Sequence, residues 1–172
     1  QVWLDGALAK EGRSPPLDPS RSITRVGVGA DTRNCRADAP ALRSLVGSLR
    51  FEFQQSMDMV DTSSSASEGN AKQTLRRDAF LLAMHQRADE KRKLSEECVS
   101  LLAASRGYLD NILREGGMPG TLQGEEAMQN LLIHVKREAG EVLASIDDTL
   151  DITEDGSRIL EETISKYFDI MQ

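Results

Sequence analysis

Aromatic residues are scarce: Phe, Trp and Tyr supply only 4% of the 172 residues. An interior built without them must rely on Leu, Ile, Val, Met and Ala, a composition commoner in helical bundles than in β-sandwiches. Cysteine is scarcer still. Cys35 and Cys98 stand far apart, with no second Cys or His at ligand spacing, so neither a zinc site nor a disulfide framework is indicated, and a reducing compartment fits. No metal site is expected. No apolar run approaches the ~20 residues that cross a bilayer, and the first residues lack the layout of a signal peptide. The chain opens with Gln1 inside an apolar pattern, Gln1-Val2-Trp3-Leu4-Asp5, which reads as a cut or truncated beginning. Excess positive charge is also missing. A net charge of -7 opposes binding to nucleic acid, whose non-specific affinity comes from basic surfaces displacing counterions.

What is present is a switch of period. Val2, Trp3, Leu4, Ala7 and Leu8 form a short apolar run ended by a Gly-, Ser- and Pro-containing turn, and Ser22 to Val28 is a second run rich in β-branched residues. Both read as strands. Two such strands are marginal in water and need a partner sheet. From Leu42 the apolar residues recur every three or four positions, through Leu45, Val46, Leu49 and Phe53, and predict a helix. The Ser-rich stretch 62–71 predicts a loop. Further helices are predicted from Gln73 to about Arg87, from Leu94 to Leu113, from Glu125 to Ile146, and from a Thr153 cap onward. Gly116, Gly117, Pro119 and Gly120 stop the chain before the long helix. The last helix should turn Ile159, Leu160, Ile164, Tyr167 and Phe168 inward. The expected architecture is mainly α: short strands that complete an α/β domain, then a bundle of five helices.

Charged and titratable residues suggest no chemistry of the chain's own. His85 and His134 are solitary and read as packing or surface residues. The basic cluster from Arg87 to Lys93 is interrupted by Asp89 and Glu90 and reads as a solvated helix face. Adjacent carboxylates, such as Glu96 with Glu97 or Glu125 with Glu126, point to different sides of a helix.

The stretch Ser22-Ile23-Thr24-Arg25-Val26-Gly27 resembles the last strand of the nucleotide-binding domain in the α subunit of F-type ATP synthases, where the family carries Ser-Val-Ser-Arg-Val-Gly. Gln1 to Asp5 looks like the family's preceding strand, at the family's spacing from the arginine. Thr32-Arg33, Leu49-Arg50-Phe51-Glu52 and Arg106-Gly107-Tyr108-Leu109-Asp110 continue the match, which covers almost the whole chain. The resemblance implies that residues 1–33 are the last strands of a nucleotide-binding domain and 34–172 a C-terminal helical domain. It implies that Arg25 is an arginine finger, contacting phosphates bound on an adjacent β subunit. A planar, permanently charged guanidinium suits that task, and such fingers are worth about 10³ to 10⁵ in rate.

The resemblance also implies ATP or ADP with magnesium, held mainly by other chains. Its partners would be an amino-terminal α-subunit chain, β subunits, and the central and peripheral stalks. Location would be the matrix side of the mitochondrial inner membrane, with membrane contact only through the complex. Departures from the family are informative. Residues 35–41 look like an insertion, Pro15 follows Ser14 where the family has Arg-Pro, and Gln86 alone remains of a Gln-Gly-Gln-Tyr run that holds adenine. Pro15 and Gln86 are therefore the candidates for a non-catalytic nucleotide site. The phosphate-binding loop lies outside this sequence, so the chain is either one piece of a split subunit or a fragment. Two other readings are a non-catalytic helical scaffold or assembly protein derived from the family, and an independent helical adaptor.

Overall fold

The computed structural model describes residues 2–10, 14–18, 21–22, 68–86 and 90–171. The predicted first helix, the insertion 35–41, most of the Ser22–Val28 strand and Arg25 lie outside them. Seven helices occur among the described residues: α1 (Gly6–Lys10), α2 (Glu68–Met84), α3 (Leu94–Ser105), α4 (Asp110–Arg114), α5 (Leu122–Glu138), α6 (Gly140–Thr149) and α7 (Glu154–Met171).

The first predicted strand is replaced by a bridge and a helical turn. Leu4 pairs antiparallel with Leu17, and Asp18 donates its N–H to the Trp3 carbonyl at 3.0 Å. Asp5 then ends the extension, because its Oδ1 accepts from the N–H groups of Ala7 (2.6 Å) and Leu8 (3.3 Å). A carboxylate at that position satisfies donors that a helix start leaves open. Ala7 and Leu8 are therefore helical, and Leu8 is buried in the core.

Each of the two long predicted helices divides in two. The span Leu94–Leu113 breaks after Ser105, where Gly107 adopts φ +79°. Gly107 donates to the Ala104 carbonyl and Tyr108 to that of Ala103, the paired bonds of a Schellman motif. A residue with a Cβ would be strained there. The span Glu125–Ile146 starts earlier, at Leu122, and breaks at Ala139, whose φ of -131° and ψ of 32° leave the helical region. Its apolar stripe survives the break: Met128, Leu131, Val135, Ala139, Leu143 and Ile146 are all buried. α2 begins at Glu68, inside the stretch predicted as loop.

The core centres on α3, where Ser95 and every residue from Cys98 to Ala104 are buried. Such all-round burial marks a central helix. It packs on α2, α5, α6 and α7. On α7 the buried side chains are Leu160, Thr163, Ile164 and Phe168, while Ile159, expected inside, is 39% exposed. Thr153 caps that helix as expected, its Oγ1 accepting from the Gly156 N–H at 3.0 Å. The cluster near Lys93 departs from expectation too. Residues 90–93 are not helical, and the Arg92 side chain is only 5% exposed.

Candidate functional site

Pro15 and Gln86, the two described candidates, are brought together at a junction between the N-terminal segment and the end of α2. Gln86 donates its backbone N–H to the Ser14 carbonyl at 2.9 Å. In return Ser14 donates its N–H to Nδ1 of His85 at 3.4 Å. Because Nδ1 accepts, the neutral ring carries its hydrogen on Nε2, which faces Glu125 Oε1 at 3.2 Å. His85 is thus more than a packing residue: it ties together three stretches of chain.

The Gln86 side chain turns inward and donates to a Glu97 carboxylate oxygen. Burial, the largest influence, raises the Glu97 pKa above its ordinary value, while Arg92 and the Gln86 hydrogen bond pull it down. Arg92 is itself held by Glu90 (2.8 Å) and by the Ala83 carbonyl (2.9 Å), closing the end of α2. The cavity beside His85, Arg92 and Glu125 has a volume of about 10 Å³, room for one water. One Gln86 hydrogen is committed to Glu97, and neither Pro15 nor Gln86 lines that cavity.

Ser22, the last described residue before Arg25, is hydrogen-bonded on two sides. Its hydroxyl donates to the Asp18 carbonyl at 2.6 Å and accepts the Trp3 N–H at 3.1 Å. Arg21 pairs with Asp18 and lies over the Trp3 ring at 5.9 Å. Arg25 itself is outside the described residues. Among the described residues no group of three or more His, Cys, Asp or Glu side chains could hold a metal ion, and no helix is long and apolar enough to cross a membrane.

The Arg106–Asp110 motif forms the corner between α3 and α4, and each side chain has a task. Arg106 pairs with Glu161 on α7 at 2.6 Å. Tyr108 stacks on Phe168 with centroids 5.6 Å apart, and Leu109 is fully buried. Asp110 faces Arg76 of α2 at 3.8 Å, and Arg76 donates to the Ala104 and Ser105 carbonyls at 2.8 and 3.0 Å. One motif thereby fixes three helices.

Comparison along the whole chain agrees with the resemblance that this corner carries. The ATP synthase subunit alpha of Saccharopolyspora erythraea is 28% identical over 97% of this chain, as is subunit alpha 1 of Methylococcus capsulatus. The Petrotoga mobilis subunit alpha is 24% identical over 100% of it. This chain is related to ATP synthase α subunits. It spans about 28 to 32% of the length of these relatives. No protein-family model matches the chain.

Two further residues, Arg76 and His85, hold the fold through partners far away in sequence. Arg76 sits 28 and 29 residues before the carbonyls it holds, and no local pattern marks it. His85 was visible only as a lone histidine, because its partners Ser14 and Glu125 lie 71 and 40 residues away.

Proposed function

We propose that this chain is the C-terminal part of the non-catalytic α subunit of a proton-translocating ATP synthase. In this reading it completes a nucleotide-binding domain formed mainly by an amino-terminal α chain, and supplies the helical domain beneath it. The observation that carries the reading is similarity to α subunits along 97–100% of the chain. It is supported by exposed Val2, Trp3 and Leu4, an apolar stretch that suits a neighbouring sheet. Arg25 acts as an arginine finger toward a magnesium-bound nucleotide on the adjacent β subunit. The assembly, with its β subunits and its central and peripheral stalks, works at the matrix side of the mitochondrial inner membrane. The relatives named above are bacterial, so the organelle rests on the divergence of this sequence.

The test is Arg25→Ala in the assembled complex. ATP turnover should fall by about 10³-fold or more, with subunit stoichiometry unchanged. Full turnover in the variant would remove the finger role.

A second reading, a non-catalytic scaffold derived from the same family, is favoured by one observation: the Gln86 amide donates to Glu97. Mild-detergent purification separates the two. The first reading requires this chain at α-subunit stoichiometry with β, stalk and membrane rotor, and the second requires recovery without them.

A further inference from the structure

The groove between α4, α5 and α7, remote from Ser14 and Arg25 in sequence, has about 270 Å³ of space and an aromatic floor. Phe168 is held between Tyr108, stacked at 5.6 Å, and Tyr167, edge-on at 5.1 Å. Ile112 adds an apolar wall. The rim carries one sign of charge. Glu115 and Glu126 are its charged residues, and they are accompanied by the amides of Asn111, Gln123 and Asn130. The nearby cation, Arg114, is turned onto the Asn111 amide oxygen at 3.3 Å and does not line the groove.

Exposed apolar surface adjoins it. Met118 is 39% and Leu122 71% exposed, and Leu122 lies one turn before Glu126, on the same face of α5. A carboxylate rim over an aromatic floor matches a long cationic side chain, whose methylene stem lies on rings while its head meets the acids. The apolar neighbours demand a companion of the opposite character, and an amphipathic helix presents both at three- and four-residue spacing. A second copy of this chain is a poor occupant, since each copy carries a net charge of -7.

We propose that this groove receives a basic amphipathic helix of another polypeptide, which lays apolar residues on Met118 and Leu122 and a Lys or Arg between Glu115 and Glu126. The site does not depend on Arg25. The test uses the full chain and a fluorescent Ala-based peptide of about 15 residues, a length at which helix becomes populated, with Leu and Arg on one face. Fluorescence anisotropy should rise saturably and weaken with salt. The double variant E115Q/E126Q, neutral at two exposed positions, should weaken binding by about two- to thirtyfold, the range for two surface ion pairs. E162Q, on the far side of α7, should leave binding unchanged. Four results overturn the proposal: no saturable binding, equal binding by E115Q/E126Q, equal loss in E162Q, or displacement of the peptide by free argininamide at matched affinity, which marks a small-cation site. Concentration-dependent dimers blocked by E115Q/E126Q also overturn it, in favour of self-association.

Discussion

Replacing Arg76 with Ala should unlock the corner that the Arg106–Asp110 motif builds. Two guanidinium hydrogen bonds to the last carbonyls of α3 would vanish, at 2.8 and 3.0 Å, together with the countercharge 3.8 Å from Asp110. Oδ1 of Asp110 has no hydrogen-bond partner and is buried, so this carboxylate depends on the nearby cation. Hydrogen bonds to a charged group are worth roughly 1.5–3 kcal/mol each, and stranding a buried charge costs more. Both side chains remain 22% exposed, which lets water recover part of that loss. The expected net loss is about 2–4 kcal/mol, a large share of the ~5–15 kcal/mol that typically holds a domain together. Urea unfolding of the chain measures it. Arg76→Lys should lose roughly half as much, because a point charge cannot bridge two carbonyls. Adding Asp110→Asn to Arg76→Ala should recover stability, since the stranded charge is then gone. A loss under about 1 kcal/mol, or a coupling below ~0.5 kcal/mol in the Arg76–Asp110 double-mutant cycle, would refute the lock.

Glu97 gives a pH signature. Its folded pKa lies above the ordinary 4.5, so the native state holds the proton to higher pH than the unfolded chain, and ionisation destabilises the fold as pH climbs from 4.5 through the raised value. Unfolding midpoints measured from about pH 4 to 8 should therefore show the unaltered protein losing ground to Glu97→Gln as pH rises; a flat or reversed difference contradicts the burial argument. Glycines make a paired test. A Cβ on Gly124 would lie 2.5 Å from the Met118 carbonyl oxygen and 2.8 Å from that of Gly117, whereas one on Gly140 meets nothing within 4 Å. Calorimetry should find Gly124→Ala destabilised by about 1–3 kcal/mol and Gly140→Ala stabilised by about 0.4–1 kcal/mol. Equal effects would mean that the close approach of α5 to the preceding turn is not rigid.

Local signals carried far in this chain. The Leu-rich, aromatic-poor composition called for a helical core, Gly116 to Gly120 stopped a helix, and Thr153 started one. The stripe from Met128 to Ile146 was legible because burial selects apolar residues at helical spacing whether or not the backbone continues. The break at Ala139 was not legible for the same reason: Gly140 stands beside it, but an isolated glycine does not by itself end a helical pattern, and the stripe runs through. At Gly107 the signal was present, but an isolated glycine in a helical pattern is ambiguous until the Ala103 and Ala104 carbonyls are seen to accept its turn.

Sequence by itself determined the kinship with ATP synthase α subunits, since order and spacing of motifs survive where most side chains have changed. It also determined which faces are apolar. Tertiary structure alone decided what those residues hold: that Arg76 locks the Arg106–Asp110 corner, that His85 joins Ser14 to Glu125, that Gln86 is drawn to Glu97, and that Tyr167 and Phe168 floor an acidic groove. Those partners lie 11 to 71 residues apart. Periodicity reports only what a residue's own helix does with it, and pairing across such distances exists only once helices are packed.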